Sequence, residues 1–89
     1  MSVVREVLIA NRRGLHARAS AKFVTLATQQ PIPVHVAKGG STVTGTSIMG
    51  LMMLGAAKGD TITISAEGDG AEAVVATMCD LVEAKFGED

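Results

Sequence analysis

The order of apolar and polar residues divides the first half of the chain into four elements. A β-branched run at residues 3–9 predicts a strand, and apolar positions at helical spacing predict a helix from Ala17 to Thr28. Period-two alternation predicts a second strand at residues 32–37. The turn formers Lys38-Gly39-Gly40 follow, and residues 41–44 return as its hairpin partner.

The second half of the chain adds two helices and one strand. Residues 47–54 predict a short helix, residues 61–66 alternate as a strand does, and an apolar stripe from Ala71 to Val82 predicts a last helix ending before Gly87. The order is βαββαβα, without repeats or linkers. We therefore expect one α+β domain over residues 1–89, in which a four-stranded, mostly antiparallel sheet has all three helices on one face.

The short helix at residues 47–54 is apolar nearly all round, so it cannot bury every face against a sheet. Leu51 and Leu54, one turn apart, are expected in the core. The alternative that methionines fill gaps in the core is credible for Met53. The remaining apolar side chains are expected to form an exposed docking patch: Ile48, Met49 and Met52.

Composition excludes several classes of protein. The 89 residues are 47% hydrophobic and 2% aromatic, which indicates an aliphatic core and leaves almost nothing to stack on nucleic-acid bases. No leader and no apolar run near the roughly 18 residues of a membrane helix are found, so we expect a soluble, cytoplasmic protein. Cys79 has no disulfide partner and no zinc-ligand spacing, and is expected to be a small, partly buried side chain. We expect no metal and no cofactor.

Charge is unevenly distributed along the chain. Residues 7–59 contain six Lys or Arg and no acid, whereas residues 60–89 contain eight acids and one base. This asymmetry suggests a region adapted to an anion or an acidic partner. The net charge of only -1 argues against nucleic-acid binding.

His16 lies at the predicted start of the first helix, where positive charge gathers. Helix starts stabilise anions, because the backbone N–H groups of the first turn lack intrahelical partners. A neutral imidazole there can attack phosphorus, the backbone N–H groups of Ala17 and Arg18 can bind the phosphoryl group, and the Arg18 guanidinium can hydrogen-bond to it. Further basic residues add to the field: Arg12, Arg13 and Lys22. The alternative is a surface histidine among solvated arginines. His35 is expected to face solvent and has no assigned role.

The segments GLHARASAKFV and SIMGLMMLGAAKGD, with the spacing between them, resemble the HPr family of phosphocarrier proteins of the phosphoenolpyruvate-dependent sugar phosphotransferase system, which includes the nitrogen-related NPr proteins. The resemblance implies an open-faced β-sandwich. It also implies that His16 accepts a phosphoryl group through Nδ1 from phosphorylated enzyme I and passes it to an enzyme IIA, with Arg18 stabilising the phosphate. The protein would be a carrier and a monomer, not a catalyst. The family's usual proline is Ala19 here, which leaves the nucleophile and the arginine in place.

Ser47 precedes the second predicted helix, where serine is a good N-cap. In some bacteria the matching serine of the family is phosphorylated by HPr kinase/phosphorylase, so the resemblance implies a second, regulatory site. Partners of the family dock on this helix and on the histidine-bearing helix. Two alternatives stay open: a regulatory binding module controlled by Ser47 without phosphoryl relay, and a small anion-binding domain with no partner.

Overall fold

The computed structural model describes residues 1–88 and confirms the predicted order of elements. The strands are β1 Ser2–Leu8, β2 His35–Lys38, β3 Ser41–Thr44 and β4 Thr61–Glu67. The helices are α1 Ala17–Thr28, α2 Ile48–Met53 and α3 Ala71–Glu83, and a short 3-10 turn, Lys85–Gly87, follows. The bounds of α1 agree with those predicted from its apolar spacing.

The strands form one four-stranded sheet in the order β1-β4-β2-β3. Every pair among the described strands is antiparallel. Val36 lies opposite Val43 on one side and Ile64 on the other, and Val7 lies opposite Ile62. This register places the apolar residues of neighbouring strands on one face of the sheet.

The core lies between that face and the helices. In β4, buried Ile62, Ile64 and Ala66 alternate with more exposed polar residues, as expected of a sheet covered on one side. Helix α3 packs on β1 and β4, and α1 packs against α2 and α3. Among residues 1–88, no helix covers the opposite face of the sheet, where Val4 and Leu8 are exposed, and this confirms the open-faced architecture.

Strand β2 begins at His35, so the predicted start at Ile32 is wrong. Pro31 and Pro33 have no backbone N–H to donate to a ladder. Val34 still bonds to its neighbour, because its carbonyl accepts the N–H of Gly45 at 2.7 Å. Ile32 contributes to the core from outside the strand.

One alternative and one prediction about burial are wrong. Met53 is 80% exposed instead of filling the core, because residues two apart on a helix do not share a face and Leu51 is the fully buried one. Cys79 is fully buried instead of partly buried. It lies one turn after buried Val75 on α3, so it belongs to the face that packs on the sheet.

The last helix ends before Gly87, as predicted. The helix ends at Glu83 because Lys85 and Phe86 adopt φ values of +58° and +55°, which a right-handed helix cannot contain. Over residues 1–88, no helix is long and apolar enough to cross a membrane. Within the same residues, no three His, Cys, Asp or Glu side chains are arranged to hold a metal ion.

Candidate phosphoryl-acceptor site

The loop before α1 is held close to the segment that follows α2. The N–H of Leu15 donates to the carbonyl of Ala56 at 2.9 Å, and Gly14 has φ +65°. A Cβ on Gly14 would lie 2.4 Å from the same Ala56 oxygen, so only glycine allows this approach. Asn11 is fully buried in the loop and its Nδ2 donates to the Gly14 carbonyl at 2.8 Å. These contacts fix the backbone immediately before His16.

His16 is the N-cap of α1. Its backbone is extended, and its Nδ1 accepts the backbone N–H of Arg18 at 3.2 Å. A ring nitrogen that accepts a hydrogen bond is unprotonated, so Nδ1 has a lone pair and lies at the start of the helix. The first turn of α1 contains no acidic residue that would compete for an anion.

The other ring nitrogen of His16 contacts Glu88. Nε2 lies 2.9 Å from Oε1 and 3.1 Å from Oε2, and Asn11 Nδ2 donates to Oε1 at 2.8 Å. An ionised carboxylate only accepts hydrogen bonds, so the ring proton lies on Nε2. The hydrogen bond with His16, followed by the one from Asn11, holds the pKa of the Glu88 carboxyl below its ordinary value.

A tight turn brings Glu88 to His16. Lys85, Phe86 and Gly87 all have positive φ, and the Phe86 ring is buried in the core. Lys22 Nζ donates to the Phe86 carbonyl at 2.8 Å. The turn is therefore anchored on both sides, by an apolar side chain and by a hydrogen bond from α1.

Asn11 and Glu88 were missed by the sequence analysis. The available signal was Phe86, since a chain with only two Phe residues is expected to bury both of them. Nothing in the sequence indicated which side chain the anchored end would meet.

The predicted basic residues have different surroundings. Arg12 and Arg13, in the loop, and Arg18, on the first turn of α1, are exposed. Lys22 instead bonds to the C-terminal turn, as described above. His35 is exposed on β2, as expected, with Thr44 and Ser65 as its strand neighbours.

Helix α2 lies beside α1. Ser47 caps α2, because its Oγ accepts the N–H of Gly50 at 2.9 Å, and this confirms the predicted cap. The core positions of Leu51 and Leu54 are also as predicted. The predicted docking patch is exposed: Ile48 by 41%, Met49 by 67% and Met52 by 40%. The structure thus places an apolar surface next to the helix that His16 caps.

Comparison with known proteins agrees with this geometry. The family model described as "PTS HPr component phosphorylation site" matches residues 3–84. The chain belongs to the HPr family. It is similar to a Neisseria meningitidis protein named phosphocarrier protein HPr, with 51% identity over 94% of each chain. It is also similar to phosphocarrier protein NPr of Shewanella violacea, with 39% identity over 94% of this chain and 92% of that one.

A solved HPr structure has the same fold as this chain. The crystal structure of HPr-C-His from Thermoanaerobacter tengcongensis superposes with a TM-score of 0.90 and 40% identity, over 98% of each chain. Membership of the HPr family supports the role of a phosphocarrier in the phosphotransferase system, which is the role of a carrier and not of a catalyst. The family match ends at residue 84, so the contact of Glu88 with His16 comes from a part of the chain outside it.

Proposed function

We propose that His16 accepts a phosphoryl group on Nδ1 from phosphorylated enzyme I and passes it to an enzyme IIA component. The observation that supports this most directly is the position of Nδ1, which is unprotonated and lies at the N-terminus of α1. An HPr protein has to hold a phosphoryl group temporarily, and a helix start binds phosphate without enclosing it.

The transfer is a displacement at phosphorus. The Nδ1 lone pair forms the new bond to phosphorus while the bond between phosphorus and the donor breaks, and that bonding pair leaves with the donor. Transfer to the acceptor repeats these changes with Nδ1 as the leaving atom. The backbone N–H groups of Ala17 and Arg18 and the Arg18 guanidinium bind the phosphoryl oxygens, once the Arg18 N–H is released from Nδ1.

Partial exposure of the site suits a carrier. The His16 side chain is 18% exposed and Arg18 lies at the surface, so a bound phosphoryl group stays accessible to the next protein. Ala19, at the family's usual proline position, is fully buried at the start of α1 and fits there as a small helix-forming residue. Its effect is expected on the rate of transfer and not on its chemistry.

Both partners dock on the surface formed by α1 and α2. The exposed patch of Ile48, Met49 and Met52 supplies apolar contact, and the neighbouring arginines supply charge for acidic partners: Arg12, Arg13 and Arg18. Lys22 adds a smaller contribution, because its ammonium already bonds to the Phe86 carbonyl. We place this exchange in the cytoplasm, with the carrier as a monomer.

Ser47 is a second, regulatory site for HPr kinase/phosphorylase. Ser47 is partly exposed and directly precedes Ile48 of the docking patch. Phosphorylation adds roughly -1.5 to -2 charges there, which opposes docking of an acidic partner. The cap on α2 keeps an oxygen acceptor after modification, so regulation through docking does not require the helix to unfold.

The test is phosphorylation of the purified protein by enzyme I and phosphoenolpyruvate, followed by intact mass and by acid stability of the adduct. We expect one acid-labile phosphate that is absent from His16→Ala. The matched control is His35→Ala, which removes the other histidine of the chain from an exposed strand position and should leave the adduct unchanged. Failure of the wild-type protein to take phosphate from a competent enzyme I would favour the regulatory module.

The docking patch is tested in the same assay with Met52→Glu. We expect slower transfer with an unchanged melting temperature, because Met52 is on the surface and not in the core. Val4→Glu is the control, since Val4 is 66% exposed on the face of the sheet opposite the helices. Equal effects of the two substitutions would mean that transfer responds to added negative charge in general, and not to contact at the patch.

A further inference from the structure

We propose that Glu88 is a positioning residue for phosphoryl transfer: its carboxylate holds the proton of His16 on Nε2 and so keeps the Nδ1 lone pair free. The inference rests on the proposed function of His16. It extends that function to Glu88, which lies outside residues 3–84, the part of the chain that matches the HPr family model.

The carboxylate is fixed in place and does not hang freely at the chain end. Its two oxygens lie 2.9 and 3.1 Å from Nε2, and Asn11 Nδ2 donates to one of them at 2.8 Å. Asn11 is itself fully buried and bonded to the Gly14 carbonyl. The Glu88 side chain is only 22% exposed. An acceptor so constrained selects one tautomer of the ring that it contacts.

The backbone that delivers Glu88 is unusual and well anchored. Lys85, Phe86 and Gly87 are three consecutive residues with φ between +55° and +76°. Residues other than glycine rarely adopt such angles, and they persist where the surrounding structure imposes them. Here the buried Phe86 ring and the bond from Lys22 to the Phe86 carbonyl impose them. This conformation places the Glu88 carboxylate against Nε2 of His16, the ring nitrogen that is not the nucleophile.

A fixed Nε2 proton simplifies the transfer in both directions. When Nδ1 binds phosphorus, Nε2 keeps its proton and the ring becomes cationic, so the Glu88 carboxylate then faces a full positive charge. When the phosphoryl group leaves, its bonding pair returns to Nδ1 and the ring is again neutral. No proton has to enter or leave the ring at either step. The carboxylate does not touch the phosphoryl group and acts only through the imidazole.

The experiment compares the full-length wild-type protein with Glu88→Ala by two measurements. The first is the ¹⁵N chemical shifts of the two ring nitrogens of His16 at alkaline pH, where imidazoles are neutral and the shifts report the tautomer. The second is the rate of phosphorylation by enzyme I as a function of carrier concentration. Glu67→Ala is the matched control, because it removes a carboxylate from the end of β4 that pairs with Ser2, away from His16.

We expect the wild type to show the Nε2–H tautomer and Glu88→Ala to show a larger share of the Nδ1–H tautomer. The same variant should lose about tenfold in kcat with little change in KM, the size of effect expected from one charge-assisted hydrogen bond. Glu88→Gln keeps an oxygen that accepts the Nε2 proton and should lie between the two. Glu67→Ala should match the wild type in both measurements.

Four results would overturn the proposal. An unchanged tautomer in Glu88→Ala would show that the Arg18 N–H alone orients the ring. An increase in kcat would show that the C-terminal turn blocks the site instead of preparing it, and a rise in KM alone would assign Glu88 to docking. If the wild type takes no phosphate on His16, the proposed function itself fails. A phosphorylated wild type with an equally active Glu88→Ala removes only the further inference.

Discussion

At the scale of single residues, Gly14 determines where the loop before His16 can lie. A Cβ at this position would lie 2.4 Å from the Ala56 oxygen and 2.9 Å from the Ala57 Cα, and the backbone has φ +65°. Both neighbours are backbone atoms, which cannot turn away as a side chain can. We therefore expect Gly14→Ala to lower the free energy of unfolding by about 3 kcal/mol, from strain and crowding together, as measured by urea denaturation.

Gly39→Ala separates the two causes. Gly39 has a similar φ of +60°, but nothing lies within 4 Å of its missing Cβ. Only the backbone strain remains, so the expected loss is about 1 kcal/mol. A loss as large as that of Gly14→Ala would mean that crowding against Ala56 contributes nothing.

The same scale shows which parts of the candidate site could be predicted from the sequence. The positions of His16 at the start of α1 and of Arg18 in its first turn could be, because apolar spacing locates the helix. Glu88 could not be predicted, because its contact with His16 joins residues 72 positions apart. Asn11 could not be predicted either, because it belongs to the site through its hydrogen bond to Glu88. Local periodicity contains no information about which distant side chain will meet a ring nitrogen.

At the scale of elements, α2 depends on its cap. The helix has six residues, too few to be stable alone, and Ser47 Oγ satisfies the N–H of Gly50 at its start. We expect Ser47→Ala to lower the free energy of unfolding by about 1 kcal/mol in urea denaturation, whereas Ser47→Asp retains a capping oxygen and should lose much less. Thr46→Ala, at the exposed neighbouring position, should be neutral. Equal stability of Ser47→Ala and wild type would show that packing alone holds α2.

The elements also show why boundaries were harder to predict than the elements themselves. The apolar spacing of α1 gave its bounds correctly, because Phe23 and its neighbours repeat with the helical period. The start of β2 was misplaced, since alternation continues through Pro31 and Pro33 although these residues cannot donate to a ladder. The last helix ends before Gly87 as predicted, but its end at Glu83 follows from the positive φ of Lys85 and Phe86, which tertiary packing imposes and no propensity indicates.

At the scale of the whole molecule, the site is assembled from three distant parts of the chain. Ile9 exchanges backbone hydrogen bonds with Gly59 and Asp60, each at 2.8 Å, and these fasten the loop before α1 to the loop after α2. The C-terminal turn completes the site through Glu88. Asn11, before α1, and Glu88, after α3, are far apart in the sequence and thus meet beside His16. The site therefore depends on the packing of α3 and the sheet, which delivers the C-terminal turn.

Cys79 reports on that packing. Its side chain is fully buried on α3, and burial raises the pKa of its thiol. A thiol reacts as the thiolate, so both burial and the raised pKa suppress its reaction in the folded protein. We expect an aromatic disulfide reagent to modify Cys79 only as fast as the protein unfolds globally, with a rate that rises in urea in parallel with loss of structure. Ala73→Cys adds a thiol on the exposed face of the same helix and should react at once. Rapid reaction of Cys79 in native conditions would show that α3 separates from the sheet without global unfolding.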